Sequence, residues 1–267
     1  MELAVAVVLL AGLVLLVAVV DILAKAGREE PGPADFEILP IVVFPDFASV
    51  EDIEVKKQQF FDFLQDYVYE ENQKLRALRV ELRHYARLAA DNVPLSAIEE
   101  DRLRQIAEQF RLEMSEYSLA GLVAELDLRI DVIPVSLVLA QAANESAWGT
   151  SRFTLQGNNI FGQWCYEEGC GIVPRRRAAG ATHEVRRFDT IDEAVAAYFV
   201  NINTNPVYQY LRELRAEMRS RDMRLNSLVL AFGLGRYSER GGNYIDEVQN
   251  IIVQNDLLSR DGIQPPV

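Results

Sequence analysis

The 267 residues are 49% apolar and 25% charged, a balance that suits one sizeable core or two small ones and excludes a disordered chain. Lysine and arginine number 27 against 40 acidic residues, and the net charge of −13 argues against nucleic acid as a partner. Two cysteines and two histidines are a thin supply of metal ligands and no glycine-rich phosphate loop is present, so neither a metal nor a cofactor is expected.

Residues 3–20, LAVAVVLLAGLVLLVAVV, carry no charge and are long enough to cross most of a bilayer as a helix. We read residues 1–24 as a single-pass membrane anchor. A cleaved signal peptide is the alternative, with Ala24, Lys25 and Ala26 as a loose processing site. Glu2 precedes the apolar run while Lys25 and Arg28 follow it, a charge order awkward for either export reading. Residues 25–50, rich in proline, read as an extended tether.

Residues 51–129 form an accessory helical segment. From Ile53 to Leu88, apolar Phe60, Phe61, Leu64, Val68, Leu75, Leu78, Leu82 and Tyr85 recur with helical period among dense charge, with room for one interruption. Asn92-Val93-Pro94 breaks the pattern. Ser96 and Glu99 then form a capping-box signal for a helix to about Phe110, with Ile98, Leu103, Ile106 and Ala107 facing inward. A short helix follows over Glu116 to Leu126. These helices carry no obvious chemistry and are expected to pack on the second half or on an envelope protein partner.

The third segment, residues 130–262, holds the candidate site. Pro134 opens a helix whose apolar stripe runs through Val135, Val138, Leu139, Ala142 and Ala143 until Gly149 ends it. Glu145 lies two turns after Val138 on the same face, so it is either a salt-bridge partner or functional. Beside Trp148 and a helix C-terminus, this carboxyl has reason to hold its proton and is a candidate general acid. Irregular sequence from Gly157 to Phe188 reads as a loop and hairpin. Within it Cys165 and Cys170 close a small glycine-containing loop, as a disulfide in an oxidising compartment or as two reduced thiols. Arg175-Arg176-Arg177 and Arg186-Arg187 are either a solvated surface or an attraction for an anionic polymer. Helices resume at Thr190, capped with Glu193, then over Pro206 to Met218, Leu225 to Phe232 and Asn243 to Leu258.

Four ordered stretches carry a family resemblance: Gln141-Ala142-Ala143-Asn144-Glu145-Ser146-Ala147-Trp148-Gly149 with Gly157-Asn158-Asn159-Ile160-Phe161-Gly162; Arg187-Phe188-Asp189-Thr190; Asn201-Ile202-Asn203-Thr204-Asn205-Pro206-Val207-Tyr208; and Leu234-Gly235-Arg236-Tyr237-Ser238 leading to Tyr244. Together they resemble the glucosaminidase domain of glycoside hydrolase family 73, in its bacterial Bax-like branch. The resemblance implies a mainly α (α+β) fold, a lysozyme-like helical domain with a small β-lobe. It also implies an endo-β-N-acetylglucosaminidase hydrolysing β-1,4 bonds of peptidoglycan or a related N-acetylglucosamine glycan. With the apolar N-terminal run and the cysteine pair, the expected setting is a bacterial inner membrane with the catalytic domain in the periplasm. Asn144, Ala147 and Ile160 depart from the usual family residues, which are a larger apolar side chain, glycine and leucine.

By that resemblance Glu145 is the general acid and Tyr237 lines the cleft near the scissile sugar. A second carboxylate, acting as base or nucleophile, belongs on the β-lobe. Glu184 is the choice there, with Glu167, Glu168 or the substrate acetamido group as rivals and Asp189 as a turn or cap residue. Trp148 shields Glu145 or packs in the core. Asn158 and Asn159 hold loop backbone or bind sugar, Phe161 packs beneath them, and Trp164 and Tyr166 stack on a sugar face. A lytic transglycosylase and an inactive glycan-binding scaffold are the competing functions.

Overall fold

The computed structural model describes residues 44–262 except 176, 178, 179 and 239. The expected anchor and the tether up to residue 43 lie outside the described residues. Among the described residues no helix is long and apolar enough to cross a membrane. The described residues belong to one compact, mainly helical unit.

Its longest element is α1, Ile53–Ala90, a helix of 38 residues and about 57 Å at 1.5 Å per residue. Asp52 starts it, one side-chain oxygen accepting from the N–H of Glu54 at 2.9 Å and of Val55 at 3.0 Å. The room for an interruption is not used, because no glycine or proline falls within these residues. Phe60, Phe61, Leu64, Val68, Leu75 and Leu82 form the buried stripe that packs α1 against later helices. The described end of the tether is also folded: Phe44 and Phe47 are buried, and Phe47–Ser49 is a 3-10 turn whose Phe47 ring meets Phe60 edge-on.

Helix α2, Ala97–Gln109, has both arms of the capping box, Ser96 to the Glu99 N–H and Glu99 back to the Ser96 N–H. Ile98, expected inward, is 84% exposed, because the inward face begins with Leu103. Helix α3, Leu119–Arg129, starts at Ser118, and α4, Val135–Ser146, follows after Asp131. Helix α4 is buried at nearly every position, which its all-round apolar sequence requires. The chain leaves it through Ala147, Trp148 and Gly149, all with positive φ.

Helix α5, Arg152–Gly157, lies just before the irregular stretch, was not expected from the sequence, and is capped by Ser151. The small β-lobe is a three-stranded antiparallel sheet of β1, Trp164–Cys165, β2, Gly171–Ile172, and β3, Glu184–Arg186, in the order β1-β3-β2. Helices α6, Ile191–Thr204, α7, Gln209–Ser220, α8, Ser227–Leu230, and α9, Gly242–Gln254, complete the unit with intervening 3-10 turns.

Two polar clusters stitch these layers. Asp131 is buried beneath Arg219, which grips its two oxygens at 3.0 and 2.9 Å, with Arg79 and Arg215 each 3.8 Å away. Near the C-terminal end, Asp261 accepts from the Ser136 N–H at 2.8 Å and hydroxyl at 2.7 Å, fastening residues 257–261 to the start of α4.

Candidate active site

A cavity of about 520 Å3 opens between the helical core and the β-lobe, lined by Glu145, Phe161, Gly162, Gln163, Trp164, Asn201, Tyr208, Tyr237, Ser238 and Arg240. Four separate parts of the chain meet there: the end of α4, the strip from Phe161 into β1, the end of α6 with its 3-10 turn, and the turn before α9.

Glu145 is half-buried on the last turn of α4. Burial pushes its pKa up, against opposing pulls from a Tyr244 hydrogen bond and the Arg240 charge, with the Glu247 charge adding to the rise. One oxygen, Oε1, is buried without a hydrogen-bond partner among the described residues. The helix C-terminus works in the same direction as burial, since its partial negative charge disfavours the ionised carboxylate. Gly162 lies beside the carboxylate, where a Cβ would make ordinary contact with Glu145 Oε2 at 3.5 Å, and its φ of +65° is what favours glycine.

Behind the acid, three fully buried side chains form a polar relay. Tyr198 donates to Gln141 Oε1 at 2.6 Å, Gln141 Nε2 donates to the Tyr244 hydroxyl at 3.0 Å, and Tyr244 pairs with Glu145. Burial raises the pKa of each of these tyrosines, so their hydroxyls remain proton donors. Tyr208, on the cavity wall, is pushed up to about 12, chiefly by burial and opposed by its bond to Asn201. Tyr244 and Gln141 carried no assigned role in the sequence. The signal was their place inside two of the four matching stretches.

The expected site residues divide into three groups. Glu145, Phe161, Trp164 and Tyr237 share the cavity. Tyr237 donates its hydroxyl to the Phe161 carbonyl at 2.9 Å, so it fixes the strip that forms one wall. Phe161 is buried and stacks on Tyr198 with centroids 4.0 Å apart. Trp164 is 55% exposed and lies flat against His183 at 4.3 Å, a two-ring platform at the cavity edge.

Asn158, Asn159 and Glu184 hold the frame instead. Asn158 donates to the Phe188 and Asp189 carbonyls, both at 3.2 Å, and Asn159 donates to those of Gln163 and Arg186, both at 2.8 Å. Glu184 is buried, and its two oxygens accept from the backbone N–H of Gly169 at 3.2 Å and Gly171 at 2.8 Å. Its carboxylate therefore braces the loop closed by the Cys165–Cys170 disulfide, whose Cα atoms are 6.2 Å apart.

Trp148 and Tyr166 lie outside the cavity lining. After the left-handed residues that follow α4, the Trp148 ring packs on Phe61, at 5.3 Å, and Phe60, at 6.1 Å. Tyr166, like Glu167 and Glu168, is exposed on the disulfide loop. Among the described residues no group of three His, Cys, Asp or Glu side chains is placed to hold a metal.

Residues 121–257 match the glucosaminidase family, described as mannosyl-glycoprotein endo-beta-N-acetylglucosaminidase. The chain is 34% identical over 149 residues to Protein bax of Escherichia coli (strain K12), covering 56% of this chain and 53% of that protein. It thus spans about half the length of this curated relative, and no solved structure matches it. The family match takes in α4 with Glu145, the β-lobe and the turn carrying Tyr237, and this chain belongs to the glucosaminidase family.

Proposed function

We propose that the chain is an endo-β-N-acetylglucosaminidase hydrolysing β-1,4 bonds of peptidoglycan or a related N-acetylglucosamine glycan, with Glu145 as the general acid. The observation that carries this reading is a carboxyl whose pKa is raised by burial, on the wall of a cavity large enough for sugar, in a chain of this family. A protonated Glu145 gives its hydrogen to the glycosidic oxygen as the bond to C1 breaks. The helical core and β-lobe on either side of the cavity support a lysozyme-like reading of the fold.

Among the described residues lining the cavity, Glu145 is the single carboxylate. With the Glu184 oxygens engaged by backbone, the substrate's own acetamido oxygen supplies the second group: it bonds to C1 as the leaving oxygen departs. Water then attacks C1, releasing the acetamido oxygen and giving a proton to the Glu145 carboxylate. Trp164 and His183 offer a flat apolar surface for a sugar ring, and Tyr237 keeps the Phe161–Gly162 strip in place beside the acid.

The single carboxylate also favours one rival, a lytic transglycosylase, in which an intramolecular sugar hydroxyl replaces water. Mass spectrometry of peptidoglycan digests separates them. A reducing N-acetylglucosamine end supports hydrolysis, and an anhydro end supports the rival. Binding without new ends, unchanged by Glu145→Gln, would overturn both in favour of a glycan-binding scaffold.

The setting we propose is the periplasmic face of a bacterial inner membrane, with residues 1–24 as the anchor, 25–50 as the tether, and 51–129 as an accessory segment braced against a catalytic part at 130–262. The disulfide fits an oxidising compartment. The exposed acidic residues of α1 and α2 supply a surface for an envelope protein partner.

A further inference from the structure

A second cavity, of about 300 Å3, shares no lining residue with the one beside Glu145. Its walls include Arg79 of α1, Asp127 near the end of α3, Asp131 just beyond it, and Arg215 and Arg219 of α7. Many of the arginine donors here serve the fold. Arg79 Nη1 donates to the carbonyls of Asp127 at 2.9 Å and Ile130 at 2.6 Å, and Nη2 meets the Asp127 carboxylate at 3.1 Å. Arg215 is fully buried and its Nη2 donates to the carbonyls of Leu128 at 3.1 Å and Arg129 at 3.3 Å, which closes the end of α3. Arg219 uses Nε and Nη2 on the two Asp131 oxygens.

The carboxylates are nevertheless fewer than the cations. Asp127 answers Arg79 and Asp131 answers Arg219, while Arg215 Nε stops 3.8 Å from Asp131, beyond hydrogen-bond reach. A fourth guanidinium, that of Arg76 on α1, makes no hydrogen bond or ion pair among the described residues, and its Nε is buried. Arg76 is close enough for the charges of Arg219 and Asp131 to act on its pKa, which burial and then Arg219 push down. Arg215 is pushed down to about 10, chiefly by burial, with Asp131 opposing and the charges of Arg79, Arg212 and Arg219 adding to the fall. Four cations thus face two carboxylates, of which the Asp127 side chain is 63% exposed and well screened by water. The partial charge at the C-terminus of α3, about half a unit, offsets only part of the difference.

Fastening α3 to α7 requires the carbonyl bonds and Asp131. It requires neither Arg76 nor Arg219 Nη1, which has no hydrogen-bond partner among the described residues. A buried surplus of positive charge beside a cavity with a free guanidinium donor suits a small oxyanion of two charges, whose oxygens accept from guanidinium groups with good geometry.

We propose that this second cavity binds a phosphate dianion, free or as a monoester, held by Arg219 Nη1 and by the surplus charge of Arg215 and Arg76. Its occupant ties α1 and the end of α3 to α7, and the inference is independent of the glycan cavity and of Glu145.

Calorimetry on the full chain at constant ionic strength tests this with three probes: inorganic phosphate, glycerol phosphate, which carries a lipid headgroup's phosphate ester without acyl chains, and chloride. We expect saturable binding of at least one phosphate probe, none with chloride, and a melting temperature that rises with that probe. Tighter binding of inorganic phosphate identifies the free ion as the ligand, and tighter binding of glycerol phosphate identifies an ester. Arg219→Gln is expected to weaken binding about tenfold or more. That variant also loses contacts to Asp131, so Arg76→Gln, which removes charge without removing a hydrogen bond, provides the second measurement. It is expected to weaken binding about threefold or more, with a melting temperature in chloride no lower than that of the parent. Absence of saturable phosphate binding in the parent, or binding of unchanged strength in either folded variant, overturns the proposal.

Discussion

The rings of Tyr237 and Tyr244 lie 5.4 Å apart with their planes within 5° of parallel. Tyr237 faces the loop, holding the Phe161 carbonyl, while Tyr244 faces the acid. The pair thus joins the wall of the cavity to its proton donor. Removing the Tyr244 hydroxyl deletes an interaction that lowers the Glu145 pKa, so the acid should stay protonated to higher pH. For Tyr244→Phe we expect the alkaline limb of the pH–rate profile to move upward. Gln141 also loses its acceptor, at a cost of about 1–3 kcal/mol in urea denaturation. A limb that moves downward would contradict this arrangement.

Glu145→Gln should lower glycan cleavage by about 10²- to 10⁴-fold, the usual span for a general acid. It should also make the protein more stable at neutral pH. The sign follows from burial: the raised folded pKa means that ionisation is disfavoured in the folded state, so wild-type stability falls as pH climbs from the unfolded pKa through the folded one. Thermal melts of the two proteins should converge below about pH 4, where the carboxyl is protonated folded or unfolded. A variant less stable than wild type at neutral pH would show that Glu145 is a structural anchor.

Asp131 behaves in the opposite sense. Despite the burial that pushes its pKa up, the charge of Arg215, the hydrogen bond from Arg219 and the charge of Arg79 hold it below the usual carboxylate value. Its stabilising contribution is present above the unfolded pKa and is lost as pH falls through the folded one. Asp131→Asn should cost about 3–5 kcal/mol in denaturant titration at neutral pH, because arginines remain buried without their counter-charge. The gap from wild type should narrow in acid.

Glu184 and the disulfide form one brace, so their variants should resemble each other. Glu184→Ala leaves the Gly169 and Gly171 N–H groups without their acceptor, which should speed hydrogen exchange at Gly171 and reduce activity less than Glu145→Gln does. In the folded, unreduced protein, Cys165 and Cys170 should resist thiol reagents. Loss of turnover in Glu184→Ala as complete as in Glu145→Gln, with exchange at Gly171 unchanged, would return the second catalytic role to Glu184.

Gly149 sits where the chain turns back from α4, with φ of +77°. A methyl group there would stand 2.7 Å from the Phe44 ring and 2.8 Å from Phe47. Gly149→Ala should therefore cost about 1–3 kcal/mol through crowding, with backbone strain in addition, measured as a fall in melting temperature.

The sequence made local features plain and three-dimensional meetings obscure. The Ser96 and Glu99 cap, the apolar stripe of α1 and the place of Glu145 at the end of α4 all depend on neighbours within a turn or two. Trp148 was left between two roles, since its ring direction depends on three successive left-handed residues and on Phe60 and Phe61 almost ninety positions earlier. Glu184 was legible as a residue of a hairpin strand, but not as one whose oxygens meet backbone N–H groups of the disulfide loop. Arg240, Gln163 and Asn201 gave no periodic signal, because four distant stretches converge to place them on one wall.

The relay behind the acid has a polarity. Gln141 uses its carbonyl toward Tyr198 and its amide toward Tyr244, so the Tyr244 oxygen is already filled as an acceptor and its own hydrogen is left for Glu145. Every hydrogen therefore points along one direction, from the protein interior outward to the carboxyl. The interior can steady a negative charge at Glu145 after the proton has gone, yet it has no ready site to take that proton inward, which leaves the sugar-facing side as its exit.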